Sequence, residues 1–178
     1  MSIVDRVRET IAKYVANDID NALIQVCIAF DATAKNEYPG IKWVGERFEK
    51  LVRDNHDVIT FFTLNGNIVK NEFKVGDFTF DTFFYKVIRC GLLHEGERPQ
   101  LLAFTEPGQF PSVSDSKWCL PPTFVLGVLL AVIGAPSNAA LRLPEAHTVT
   151  IAGRAFALQE LWGHVEKVRE AIYAGRDV

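Results

Sequence analysis

The stretch from Asp81 to Gly96 reads DTFFYKVIRCGLLHEG, and it decides how the rest of the chain is interpreted. Its residues are apolar on nearly every side of a helix, which is typical of a helix buried in a core or in a subunit interface. The ionisable residues Arg89 and His94 interrupt this apolar surface. Because burying an unpaired guanidinium is costly, Arg89 needs either a carboxylate partner or a polar cleft.

An acid on another predicted helix is the candidate partner of Arg89. Asp31 continues a row of residues at helical spacing, Ile24, Cys27, Asp31 and Ala34, which predicts that it is half-buried. A structural ion pair between Asp31 and Arg89 is one interpretation, and a polar site that uses Arg89 is the other. His94 also has a structural interpretation, because the helix dipole favours a histidine in a last turn.

The spacing of Arg89 and His94 limits how they can act together. Five residues correspond to about 140° around a regular helix, so the two side chains lie on different faces. They can share a site only if the helix changes pitch, for instance where it ends near Glu95 and Gly96, or if a two-fold dimer joins the histidine of one copy to the arginine of the other.

The segment Tyr85–Gly96, YKVIRCGLLHEG, resembles the signature helix of the HEPN superfamily, in which an arginine and a histidine separated by four to six residues close the last core helix of a small bundle. A second match, from Arg142 to His147, contains Pro144 and is predicted to be a loop. Many HEPN proteins are metal-independent RNases of toxin or phage-defence systems.

The resemblance implies a HEPN-like helical core over residues 1–98, a homodimer, and RNA or a nucleotide as partner. His94 would be the general acid/base and Arg89 would bind phosphate, without metal or cofactor; Asp31, Tyr85 and Glu95 are supporting residues, and Tyr85 is a candidate for stacking on a base. The alternative function is that of a catalytically silent HEPN-like binding or scaffold protein in which Arg89 and His94 are structural.

Hydrophobic periodicity predicts one mainly helical domain of 178 residues, a helical bundle with one or two small β-hairpins. Helices are predicted over residues 3–38 (two helices meeting near Asn17 and Asp18), 43–62, 81–94 with Asp81 as its cap, 123–135 and 158–174. Hairpins are predicted around Gly76-Asp77 and Ala152-Gly153. Residues 99–178 would thus contain a long surface loop, a proline-fenced core helix, a hairpin and the last helix.

Composition excludes several classes of protein. With a net charge of −3, the chain lacks the excess of positive charge that proteins use to bind long nucleic acid, so any RNA contact must be local. Three dispersed cysteines and the lack of a signal-peptide core predict a cytoplasmic protein with reduced thiols. The most hydrophobic run, Thr123–Ala135, is shorter than the roughly 20 residues a membrane span needs, so no membrane is expected as partner. His56, His147 and His164 are too dispersed to predict a metal site.

Overall fold

The computed structural model describes residues 1–69, 74–75, 77–95, 99–114 and 117–174. It is mainly helical, which confirms the predicted class. The helices are α1 (Ile3–Val15), α2 (Ile19–Glu37), α3 (Val44–Asp54), α4 (His56–Thr63), α5 (Phe80–Phe83), a π-helical segment (Phe84–Arg89), α6 (Cys90–Glu95), α7 (Thr123–Gly134) and α8 (Val165–Tyr173). Short 3-10 turns at Pro136–Asn138 and Leu158–Glu160 flank the last part of the chain.

Three small sheets accompany the helices. The two predicted hairpins are present, with β1 (Lys74–Val75) antiparallel to β2 (Phe78–Thr79) and β6 (Thr148–Ile151) antiparallel to β7 (Arg154–Ala157). A third sheet has the order β3 (Leu102–Phe104), β5 (Lys117–Leu120), β4 (Ser112–Ser114), with β3 parallel to β5. Only a loop was predicted there, and that prediction is wrong. Its strands are three or four residues long, too short to show an alternating pattern.

Helix α7 lies at the centre of the molecule and packs against α2 and α4. From Phe124 to Gly134 only Leu126 is not fully buried, which confirms the predicted core helix. The close crossing of α7 with α4 depends on Gly127, because a Cβ atom there would lie 3.0 Å from the backbone of Ile59. The hydrophobic core therefore joins helices from both halves of the chain.

The predicted helix over residues 43–62 is in fact two helices that meet at Asn55. This residue is 6% exposed, and its side-chain amide donates to the Leu51 carbonyl at 3.0 Å. Its backbone amide lies 3.2 Å from the same carbonyl. A short polar side chain that bonds the local backbone competes with a continuing helix, and this competition ends α3.

Two predicted helix starts are also wrong. The helix expected to begin at Leu158 begins at Val165, after a turn in which Gly163 adopts a φ of 74° and donates its amide to the Ile133 carbonyl at 2.8 Å. The helix expected to be capped by Asp81 begins one residue earlier, at Phe80. The Asp81 carboxylate is buried and accepts hydrogen bonds from Arg53, at 2.5 Å, and from Thr79. Burial would raise the pKa of Asp81, but these hydrogen bonds outweigh it and lower the pKa.

Within the described residues, no helix combines the length and the apolar character needed to cross a bilayer.

Candidate functional site

Arg89 is the last residue of the π-helical segment and points at the middle of α2. Its Nη2 atom donates a hydrogen bond to Oδ2 of Asp31 at 2.7 Å. The two side chains are 14% and 22% exposed, so the pair is largely buried but still reached by water. The carboxylate that the row on α2 predicted as a partner is therefore in contact with Arg89.

Three further side chains surround the guanidinium. The ring centroid of Tyr85 lies 5.5 Å from Cζ of Arg89, which is a cation–π contact. The Sγ atom of Cys90 is 4.0 Å from Nη1, at the outer limit of a weak contact. Cys27 is fully buried on the same face of α2 as Asp31, and burial raises the pKa of its thiol, so it stays protonated. Only Asp31 supplies a full charge to Arg89 among these neighbours.

Tyr85 is fixed by packing as well as by Arg89. Its ring centroid lies 5.5 Å from that of Phe48, and Gly45 leaves room for it, because a Cβ at Gly45 would come 2.8 Å from Cε1 of Tyr85. Burial is the largest of the effects that raise the pKa of its hydroxyl. The ring is thus held against the core and the guanidinium, which leaves less of it for the predicted stacking on a base.

The ion pair retains unused hydrogen-bonding capacity. Oδ1 of Asp31 and Nε of Arg89 are buried and have no hydrogen-bond partner among the described residues. Buried polar atoms are paired in most proteins, so two unpaired atoms in one contact are unusual. Burial lowers the pKa of Arg89, but the hydrogen bond and the charge of Asp31 outweigh it and raise the pKa. Arg89 is therefore a permanent cation.

A π-helical turn directly precedes Arg89 and was not predicted. The Cys90 amide donates to the carbonyl of Tyr85, five residues earlier, instead of four as in an α-helix. Such turns are rare and occur often at functional sites. The sequence gives no local signal for it, because the segment FYKVIR contains neither proline nor glycine.

His94 and Glu95 belong to α6, and their side chains lie outside the part of the chain that the structure describes. Between Arg89 and His94 the backbone is α-helical, so the 140° separation derived from the spacing applies. The change of pitch lies before Arg89 and not between the two residues. It therefore does not bring His94 onto the face of Arg89 within one chain.

The remaining histidines lie apart from this site. His56 starts α4 beside Phe80, with ring centroids 5.8 Å apart, and His164 is exposed before α8. His147 is half-buried and lines a groove beside α7. In the described ranges, no group of three or more His, Cys, Asp and Glu residues could hold a metal ion.

Comparison with known proteins places the chain in a family. One family model, described as Rv1289, matches residues 2–177. The chain belongs to the Rv1289 family. Its relatives include the proteins named Rv1289 of Mycobacterium tuberculosis and Mb1320 of Mycobacterium bovis. Each is 25% identical over 193 aligned positions, which cover 99% of this chain and 90% of the relative. Neither name states an activity. No solved structure matches the chain.

Proposed function

We propose that the protein is a HEPN-like, metal-independent endoribonuclease whose site is completed by a second copy of the chain. The supporting observation is the position of Arg89. A π-helical turn ends at this residue, Asp31 and Tyr85 hold its guanidinium, and the same helix continues through His94. The resemblance of residues 85–96 to the HEPN signature also supports this proposal.

The chemistry needs only these two residues and the RNA. The imidazole of His94 takes the proton of a ribose 2′-hydroxyl, whose oxygen attacks the adjacent phosphorus. The bond from phosphorus to the 5′-oxygen breaks, that oxygen takes up a proton from the solvent, and His94 then returns its own proton to the solvent. The products are a 2′,3′-cyclic phosphate and a 5′-hydroxyl, so no water or cofactor is consumed. The guanidinium of Arg89 stabilises the negative charge on the phosphate.

A second copy is required because of the helix geometry. Within one chain Arg89 and His94 lie about 140° apart on a regular helix. A two-fold axis beside the helix end places the histidine of one chain next to the arginine of the other. Each dimer then has two equivalent sites.

A noncatalytic binding protein is the second candidate function, and the ion pair favours it. The charge of Arg89 is already compensated by Asp31 at 2.7 Å, and only 14% of the arginine side chain is exposed. An arginine in this state binds phosphate less strongly than a free one, because the carboxylate repels the phosphate. In that function Arg89 stabilises the fold, and His94 stabilises the end of its helix.

Cleavage of mixed-sequence single-stranded RNA in EDTA distinguishes the two functions. We expect the wild-type protein to cut, His94→Ala to cut at least about 100-fold more slowly, and His164→Ala to cut like the wild type, since His164 is exposed and precedes α8, outside the segment 85–96. The new 3′ ends should carry a cyclic phosphate. Absence of cleavage by the wild type, or equal cleavage by His94→Ala, would leave the binding protein as the function.

A mixing experiment tests the shared site. Arg89→Lys and His94→Ala are each expected to be inactive, but a heterodimer of the two contains one site with a native arginine and a native histidine. Mixing them should therefore restore part of the wild-type rate. If the mixture stays inactive, or if the wild-type protein has a monomeric mass at micromolar concentration while it cuts RNA, the two-chain site is wrong.

A further inference from the structure

A groove between α1, α7 and β6 is separate from the Arg89 region and has its own chemistry. Its volume is about 350 Å³, which is within the range of pockets that hold small molecules. The walls are mainly apolar and come from α1 with Tyr14 and Val15, from α7 with Leu126, Leu129 and Leu130, and from β6 with His147 just before it.

The groove is open at the protein surface, and its floor on α7 belongs to the hydrophobic core. Leu129 and Leu130 are buried, whereas Leu126 is only partly buried and packs at the edge of the core. Val15 at the end of α1 is 80% exposed. An apolar molecule in the groove would therefore cover leucine and valine surface that water now reaches, which is favourable at about 25 cal/mol per Å².

Four polar side chains stand among these apolar walls: Tyr14, His147 and the two exposed threonines of β6, Thr148 and Thr150. The hydroxyl of Tyr14 comes from α1, and burial raises its pKa, so it remains a hydrogen-bond donor at neutral pH. The half-buried ring of His147 precedes β6 on the other wall. A neutral imidazole offers one donor and one acceptor nitrogen. One polar end of a ligand can thus be recognised while the rest stays in apolar surroundings.

The charges near the groove indicate an uncharged ligand. Arg8, one helical turn before Ile11, forms an ion pair with Glu145 at 3.5 Å, two residues before His147. Lys13 on the same helix pairs with Asp18 at 3.4 Å. Both cations next to this face of α1 therefore already have a carboxylate, and the lining residues themselves carry no carboxylate, lysine or arginine.

We propose that this groove is a binding site for a small, uncharged molecule with an apolar body and one hydroxyl or carbonyl group, which Tyr14 and His147 hold. The proposal does not depend on the RNase function, since no lining residue belongs to the Arg89 region. His147 was the histidine of the second, proline-containing Arg–His match, and its place in the groove gives it a different function.

Binding of 2-naphthol and of naphthalene to the full chain, followed by fluorescence and by thermal stabilisation, tests the proposal. We expect 2-naphthol to bind more tightly than naphthalene. Leu126→Trp should fill the groove and weaken 2-naphthol binding at least tenfold. The matched control Leu101→Trp, at a position 51% exposed and outside the groove, should leave the affinity unchanged. Tyr14→Phe should weaken 2-naphthol binding about threefold to tenfold and leave naphthalene binding unaltered.

Four results would overturn the proposal. The first is no binding by the wild-type chain up to the solubility limit of either probe, and the second is equal affinity of Leu126→Trp and wild type. The third is a dimeric mass without probe that Leu126→Trp makes monomeric, because the groove would then be covered by a second copy. If Tyr14→Phe binds 2-naphthol like the wild type, the hydroxyl does not select the ligand and the proposed ligand class is wrong.

Discussion

Asp31 and Arg89 would each destabilise the core if either were buried alone. Together they exchange contacts with water for a 2.7 Å hydrogen bond, and the Tyr85 ring covers one side of the guanidinium. Burial lowers the pKa of Arg89 and the pair with Asp31 raises it. The net effect is a raised pKa, so the pairing outweighs the burial. The residue therefore contributes to the fold whether or not it also contacts phosphate.

This contribution can be measured by removing one partner. We predict that Asp31→Asn lowers the free energy of unfolding by about 2–4 kcal/mol, because it leaves a largely buried cation without its counter-charge. The double variant Asp31→Asn/Arg89→Met should lose less than the sum of the single variants, since neither charge is then left alone. Urea denaturation at neutral pH gives all three values.

Glu145→Gln is the matched control, because it removes the carboxylate of an exposed pair. Arg8 and Glu145 are 48% and 45% exposed, and such pairs contribute less than about 1 kcal/mol. If Asp31→Asn costs no more than Glu145→Gln, the pair is not structural. Stability would then not explain why Arg89 lies on a buried helix.

At the element scale, we interpret the π turn in the continuous helix from Phe80 to Glu95 as the accommodation of one extra residue. An α-helix closes a turn with a bond over four residues and a π-helix with a bond over five, so the π turn accommodates one extra residue while later residues keep their faces. Phe83 and Arg89 therefore both reach their partners: Phe83 packs against Trp118, and Arg89 pairs with Asp31.

Deleting Lys86, an exposed residue of the π turn, tests this explanation. We predict that the turn becomes α-helical, that Arg89 still pairs with Asp31, and that stability falls by less than about 2 kcal/mol. Deleting Lys50 from the regular helix α3 should cost at least about 4 kcal/mol, because it rotates the buried residues Leu51 and Val52 out of the core. Equal costs in urea denaturation would show that the π turn is not an accommodated extra residue.

The π turn also shows how far sequence reasoning extends. Periodicity assumes about 100° per residue, so it predicts the helix from residue 81 to 94 but not a local change of pitch inside it. The contact between Asp31 and Arg89 was predictable because it follows from the cost of burying each charge. The third sheet was not, because its strands are short and the pairing of Leu102 with Trp118 joins residues distant in the chain.

The predicted helix boundaries are wrong where a tertiary contact determines where the helix begins or ends. Asn55 ends α3 by bonding the Leu51 carbonyl, and Gly163 delays α8 by bonding Ile133. Neither partner can be identified from local pattern alone. The hairpin at Ala152-Gly153 was predicted correctly since its turn is local: both residues have positive φ, 49° and 78°, as a two-residue turn of this kind requires.

At the scale of the whole molecule, α7 is what makes the two halves of the chain one folding unit. It contacts α2 and α4 from the first half and α8 from the second. Gly127 lets it approach Ile59, and Gly134 lets it approach Val165, where a Cβ would come 2.9 Å from the backbone. The apolar faces of α2 and α4 that α7 covers would otherwise be open to water.

We therefore predict that residues 1–98, the part that resembles the HEPN core, do not fold alone. Without α7, buried residues such as Ile59, Phe62 and Phe84 would lose the helix that covers them, and a domain of this length has little surplus stability. The fragment should show no cooperative urea transition and no near-ultraviolet circular dichroism, whereas the full chain should show one transition. A cooperative transition of the fragment would mean that its helices form a bundle without α7, and the second half would then be an added domain instead of part of the core.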